Sequence, residues 1–255
     1  MNELETAKLA AIEAGKIALK YFQGDFELKY KGPRNIVTQA DTECEQRIKK
    51  VISKEHPGHA FLGEEFGSEG SSKHLWIIDP IDGTTNFSHG VDQFCHSIAY
   101  TRDGRVLCGV VYNPVQKKMY TAEYGRGSRM NGRKIFVSKT DLLENSLLIS
   151  GFPYDEPALE EKTFASMKTL RPRCRDIRRF GSAALDLCYV AQGVCDAFFE
   201  YRLNAWDVAA GMLIVAEAGG KVTDINGAEA LVDSGHFLAT NAHLHDQMLS
   251  HLERV

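Results

Sequence analysis

Residues 75–87 read Leu75-Trp76-Ile77-Ile78-Asp79-Pro80-Ile81-Asp82-Gly83-Thr84-Thr85-Asn86-Phe87. An apolar stretch of strand character delivers two carboxylates, with a backbone carbonyl between them, into a Gly-Thr-Thr turn. Hard divalent cations take oxygen ligands, and phosphate takes backbone N–H groups and hydroxyls, so this segment can serve both. Asp79 follows Trp76-Ile77-Ile78 directly and is held by Pro80, which sets its carboxylate partly inside the core. A buried carboxylate needs a cation or several donors. The combination points to metal-assisted phosphoryl chemistry.

Two more acidic segments stand on either side. Glu64-Glu65 follows Phe61-Leu62-Gly63, and Asp207 opens the helical stretch Trp206 to Ala218. Strand ends and helix starts are where a sheet converges side chains from distant sequence. Each also has a plain alternative: a solvated loop for Glu64-Glu65, a helix cap for Asp207. Glu200, after Phe198-Phe199, is another acid at a strand end.

The rest of the pattern supplies a frame. Leu4, Ala7, Ala11, Ala14, Ala18 and Phe22 form a helical stripe ending at Gly24, and Phe26 to Tyr30 is extended before the turn Lys31-Gly32-Pro33-Arg34. Thr38 to Glu55 reads as a second helix beside the first. From Phe61 to Tyr124 come short β-rich runs, Phe61-Leu62, Leu75 to Ile78, Ser97 to Thr101, Val106 to Tyr112 and Met119 to Ala122. Asp103-Gly104 and Asn131-Gly132 mark hairpin turns, which predicts an antiparallel sheet. Beyond residue 140 strands (145–149, 176–180, 197–200, near 237–238) alternate with helices (157–170, 183–191, 206–218, 244–252), predicting a layered α/β architecture. With no repeat and no long linker, residues 1–255 read as one domain, a lobe of about 1–140 joined to one of about 141–255.

The 255 residues, 44% hydrophobic and 25% charged, fit a soluble globular protein with a substantial core. A net charge of −4 with dispersed Lys and Arg argues against a nucleic-acid partner. The acidic N-terminus lacks signal-peptide character, and no apolar run approaches the ~20 residues of a membrane span. Six cysteines show neither C-x-x-C nor zinc spacing, which fits reduced thiols in the cytoplasm. No histidine is assigned as a ligand, because a hard divalent cation prefers oxygen. The basic run Arg171, Arg173, Arg175, Arg178, Arg179 reads as a solvated face or subunit contact, or as a site for a second phosphate.

Gly63-Glu64-Glu65, Asp79 to Phe87 and Trp206-Asp207-Val208-Ala209-Ala210-Gly211 together resemble the inositol monophosphatase family of metal-dependent, lithium-sensitive phosphatases. Softer matches run from Lys31 and Ile36 to Asp41 through Ser150 to Pro153, Gly181 to Asp186 and Asp196 to Glu200. The resemblance implies a five-layer α-β-α-β-α sandwich, like that of fructose-1,6-bisphosphatase, usually a homodimer, with two to three Mg²⁺ per site. It implies that Glu64, Asp79 and the Ile81 carbonyl hold a first metal, that Asp79, Asp82 and Asp207 hold a second, and that a third lies near Glu64 and Glu65. It implies that Thr84 with Asp41, which read alone is a solvent-facing helix acid, activates the attacking water. Gly83, Thr84 and Thr85 would meet the phosphate, and Asp82, Ser182, Ala183, Glu200 and Asp207 the polyol. Inhibition by Ca²⁺ and Li⁺ is expected. Asn86 resembles the inositol phosphatase branch; fructose-1,6-bisphosphatase, histidinol phosphatase and 3′-phosphoadenosine 5′-phosphate phosphatase share the metal core. A catalytically silent binding module is the alternative from another class, although all four central acids are present.

Overall fold

Alanines recur at helical spacing along Glu3–Tyr21, and this segment is helix α1, with Ala7, Ala10, Ala11, Ala14 and Ala18 buried. Asn2 caps it by accepting from the Glu5 N–H at 2.9 Å. The small stripe lets α1 lie close beside α2 (Gln39–Glu55), whose inner face is Ala40, Cys44, Ile48 and Ile52. The computed structural model describes residues 1–22, 28–30, 36–153 and 156–255. Gly24, Phe26 and the turn Lys31 to Arg34 lie outside the described residues. Strands β1 (Leu28–Tyr30) and β2 (Ile36–Thr38) pair antiparallel ahead of α2.

The larger sheet has eight strands: β3 (Ala60–Gly63), β4 (Gly67–Glu69), β5 (His74–Asp82), β6 (Cys95–Arg102), β7 (Arg105–Asn113), β8 (Lys118–Glu123), β9 (Gly127–Met130) and β10 (Arg133–Lys134). Their spatial order is β10-β9-β8-β7-β6-β5-β3-β4. Asp103-Gly104 and Asn131-Gly132 are the expected two-residue hairpin turns, with φ of 52° and 80° in the first and 48° and 80° in the second. The expectation of an antiparallel sheet needs one correction, because β3 runs parallel to β5. Strands β4, β9 and β10 are short and polar, and hydrophobic periodicity does not reveal them.

The smaller sheet, β11 (Leu147–Ser150), β12 (Asp176–Arg178), β13 (Ala197–Tyr201), β14 (Lys221–Asp224) and β15 (His236–Thr240), has the order β12-β11-β13-β15-β14. The strand expected at 145–149 starts later, because Leu143–Asn145 forms a 3₁₀ turn. Helices α4 (Pro157–Leu170), α5 (Ala183–Ala191), α6 (Ala205–Glu217) and α7 (His245–Leu249) complete this half.

Alternation along the strands builds the layers. Trp76 and Ile78 face α1 and α2, whereas Ile77 faces α5 and α6; Phe198 faces α5 and α6, whereas Phe199 faces α4 and α7. Two sheets with apolar residues on both faces need helices outside and between them, and five layers follow. The central helices sit against the larger sheet at backbone distance: a Cβ on Gly109 of β7 would lie 2.9 Å from the Ala210 Cα on α6. No described helix is long and apolar enough to cross a membrane.

Candidate active site

β5 does not stop at Ile78, where the apolar run ends, but continues through Asp82. Asp79 pairs with Ser97 and Asp82 with Cys95, so three residues of β5 span two of β6. That is a bulge, and its effect is parity. Three positions apart on a regular strand, the two acids would point to opposite faces. With the extra residue both lie opposite residues of one β6 face, the face toward α5 and α6. The parallel pairing of β3 with β5 brings in the next acid, since Gly63 lies opposite Ile78 and the Glu64 N–H donates to the Ile78 carbonyl at 3.2 Å. Behind the bulge His96, fully buried, donates from Nδ1 to the Pro80 carbonyl. Burial pushes its imidazole down to about 4, so the ring is neutral.

After Asp82 the chain reverses at Gly83, whose φ of 92° suits glycine, and Thr84–Ser88 forms a short helix, α3, where the sequence reads as a turn. Asn86 on α3 is a clasp as well as a family marker: its amide donates to the carbonyls of Gln93 and Phe180, both at 2.7 Å. This ties α3 to the segment leading into Ser182. The Ser182 hydroxyl and the Ala184 N–H each donate to Asp82 Oδ2 at 2.7 Å. The Asp82 carboxylate is thus bonded to the N-terminal turn of α5, where an anion is favoured.

Asp41 is buried at 1% exposure, which excludes a solvent-facing helix acid. The Thr84 hydroxyl lies 3.2 Å from Asp41 Oδ1 and 3.0 Å from the Ile81 carbonyl, so its single proton is shared between two acceptors. Asp207 caps α6, accepting from the Asn204 N–H at 2.7 Å, and also lines the same pocket as Asp79. Asp207 thus caps its helix and lines the pocket at the same time.

That pocket is lined by Glu64, Asp79, Ile81, Asp82, Gly83, Thr84, Thr85, Ser182, Ala183, Glu200 and Asp207. Asp41 and Glu65 stand behind this lining, Glu65 directing its N–H away to Glu45 at 2.8 Å. The second half of the chain adds residues that the sequence motifs do not single out, Arg202, Leu203 and Asn204, next to the motif residue Trp206. Their only signal is position, between the strand-end acid Glu200 and the helix-start acid Asp207. Of the arginine run, Arg179 reaches this pocket, whereas Arg171 and Arg178 pair with Asp176.

The electrostatics are one-sided. Burial, then Glu64, Asp82, Asp207 and Asp41, hold the Asp79 carboxyl well above the ordinary carboxylate range. Burial and the Asp82 charge push Asp207 up to about 8, and burial with Asp207 and Asp82 raises Glu200. Asp82 rises only to about 6, because burial is opposed by the Ser182 and Ala184 hydrogen bonds. Asp79 Oδ1 is buried with no hydrogen-bond partner. Buried acids that raise one another need cations, and oxygen-only donors suit a hard one. Among the described residues no three acids or histidines close into a finished cage. An open set of this kind fits Mg²⁺, which keeps several waters and completes its shell with phosphate oxygens.

A layered fold with an acid-lined pocket at the sheet end is the setting that phosphomonoester hydrolases use. The chain belongs to the inositol monophosphatase family, whose pattern matches residues 2–255, and the family is hydrolytic and generally metal-dependent. It is 41% identical over 254 residues to the Nus factor SuhB of Pasteurella multocida, covering 98% of this chain and 95% of that one. It is 41% identical over 236 residues to the inositol-1-monophosphatase of Mesorhizobium japonicum, covering 91% and 89%. The crystal structure of the extragenic suppressor protein suhB from Bartonella henselae superposes with a TM-score of 0.94 at 37% identity, over 98% of each chain.

Proposed function

We propose that this chain hydrolyses inositol monophosphate to inositol and phosphate, with Mg²⁺ held by Glu64, Asp79, Asp82, Asp207 and the Ile81 carbonyl. The observation that carries this reading is the buried, mutually raised acid cluster around Asp79, whose Oδ1 has no protein partner. Bound divalent cations would supply a water of lowered pKa and neutralise the charge on the transferring phosphate. The chain's own residues do the rest. Thr84, tied to Asp41, accepts from the attacking water and passes its proton toward Asp41. The N–H groups of Gly83, Thr84 and Thr85 face the phosphate, and glycine holds the turn at position 83 because a Cβ there would lie 2.8 Å from the Gln93 carbonyl. Glu200 and Asp207 accept from the hydroxyls of the polyol, beside Ser182 and Ala183. A weaker cation near Glu64 and Glu65 belongs to the same reading, as do inhibition by Ca²⁺ and Li⁺ and a cytoplasmic homodimer acting as one domain.

Arg179 and Arg202 on the pocket wall favour a second reading, a substrate with another anionic group such as fructose 1,6-bisphosphate. The test is phosphate release from inositol 1-phosphate across a Mg²⁺ titration, with fructose 1,6-bisphosphate alongside. Mg²⁺-dependent turnover preferring inositol 1-phosphate supports the first reading. Preference for the bisphosphate replaces it with the second, and no turnover with any divalent metal returns the chain to a binding role.

A further inference from the structure

Helix α2 carries three charged residues one turn apart on a single face: Asp41, Glu45 and Lys49. Asp41 meets Thr84. Glu45, one turn on, is fully buried, yet the chemistry derived so far makes no use of it. Its Oε2 accepts from the Glu65 N–H at 2.8 Å, and its Oε1 makes no hydrogen bond, lying 3.8 Å from Lys49 Nζ. Lys49, its side chain only 13% exposed, pairs with Glu69 and lies 4.8 Å from the Phe66 ring centre. These groups surround the β3–β4 hairpin, whose turn carries Glu64 and Glu65. Gly63 completes the arrangement, since a Cβ there would collide with the Glu45 carboxylate. Gly63 is not in the left-handed region, so its lack of a side chain serves space for Glu45 alone.

We propose that Glu45 is a positioning residue for the cation site: from α2 it holds the Glu65 backbone and thereby fixes where the Glu64 carboxylate meets the metal. The inference rests on the reading of Glu64 as a ligand. A helix rises about 1.5 Å per residue, so one turn of α2 sets a spacing of about 6 Å between the group serving Thr84 and the group serving the Glu64-Glu65 turn. Attaching both to one rigid helix keeps the water-activating pair and the metal-binding turn in register. What Glu45 must supply is an acceptor oxygen at a given reach, and charge is secondary.

Glu45→Gln keeps the acceptor and the reach but loses the charge, whereas Glu45→Asp keeps the charge and draws the oxygen back by one methylene. Mg²⁺ binding to the purified variants is measured by titration calorimetry without substrate, with circular dichroism to verify folding and steady-state kinetics to separate substrate KM from metal dependence. Outer groups that orient metal ligands are worth about 10- to 100-fold in affinity. Glu45→Asp is expected to weaken Mg²⁺ binding about tenfold, with substrate KM at saturating metal within about twofold of wild type, and Glu45→Gln to bind Mg²⁺ within about threefold of wild type. Undiminished binding by Glu45→Asp, or an equal loss in Glu45→Gln, overturns the inference while leaving the site reading intact. A wild-type protein that binds no Mg²⁺ overturns both.

Discussion

The two ends of strand β5 treat buried polar groups in opposite ways. At its start, His74 stacks on His59 at 4.6 Å and His59 on His56 at 5.1 Å, and the rings find partners nearby. Trp76 Nε1 donates to His59 Nδ1 at 3.1 Å, His74 Nδ1 meets the Tyr100 hydroxyl at 2.6 Å, and His56 Nε2 meets Thr6 at 2.9 Å. At its end, eight residues on, Asp82 is satisfied by α5 but Asp79 keeps an oxygen without a partner. Desolvation acts at both ends, lowering His59 and raising Asp79. The first end is complete within the chain, and the second leaves a buried carboxylate oxygen unmet, as the proposed cation site requires. At Asp79 the unmet oxygen lies among acids that raise its pKa, and that pairing is the mark of a site for an outside cation in the proposed reading.

The comparison is broken most directly at Asp79. Asp79→Asn should lower kcat/KM at saturating Mg²⁺ by about 10³-fold, since each factor of ten is 1.36 kcal/mol of transition-state stabilisation. The same variant should unfold later than wild type in EDTA, because the cost of burying a carboxyl among other acids, which forces its pKa up, has gone. More than about a tenth of wild-type activity would contradict the ligand role. Second in size is the metal itself. Mg²⁺ at about 100 times its Kd should stabilise the wild type by about 2.7 kcal/mol in thermal or urea unfolding, and Asp79→Asn should lose most of that gain.

Third, the two ends titrate in opposite directions. Asp207, ordinarily near 3.8, is raised to about 8, so the folded state binds more protons between these values and metal-free stability falls as pH rises through them. His59 is lowered from 6.5, so its contribution is present above that value and lost as pH falls below it. His96, lowered to about 4, acts in the same direction as His59. Unfolding in EDTA across this range should show stability declining from pH 6.5 to 8 by up to ~1.4 kcal/mol per unit for one proton, and Mg²⁺ should flatten that decline. A metal-free protein that gains stability over this interval would refute the cluster's raised values. The smallest effect is at the other end: His59→Leu leaves the Trp76 N–H without its acceptor and should cost about 1–2 kcal/mol in urea unfolding. Phosphatase activity at pH 7.5 should stay unchanged, and a large loss would mean that the two ends are coupled.

Much of this site was legible because Asp79-Pro80-Ile81-Asp82-Gly83 is contiguous and the helix bounds 157–170 and 183–191 follow from plain periodicity. The bulge was not legible, because it depends on where β6 pairs, and Cys95 and Ser97 give no sign of that register. The parallel placement of β3 beside β5 is likewise a tertiary choice, and it is what makes Glu64 a neighbour of Asp79. The clasp made by Asn86, which the sequence offers only as a branch marker, and the place of Glu45 were hidden for a related reason: each bonds distant backbone, at Phe180 and Glu65, which composition and spacing do not register. His59 and His74, close in sequence to the acidic motifs, belong to the far end of the strand.

The contact of Gly109 with Ala210 has a consequence for how this chain tolerates change. The depth at which α6 sits is set by main chain touching main chain, and Asp207 rides at the head of that helix. A library of variants randomised across the interior should therefore accept many exchanges among Leu, Ile, Val and Met in the surrounding layer. Position 109 should stay invariant among active survivors, although it is not among the residues that line the pocket, because a single methyl there lifts the helix and carries one wall of the pocket away from the other.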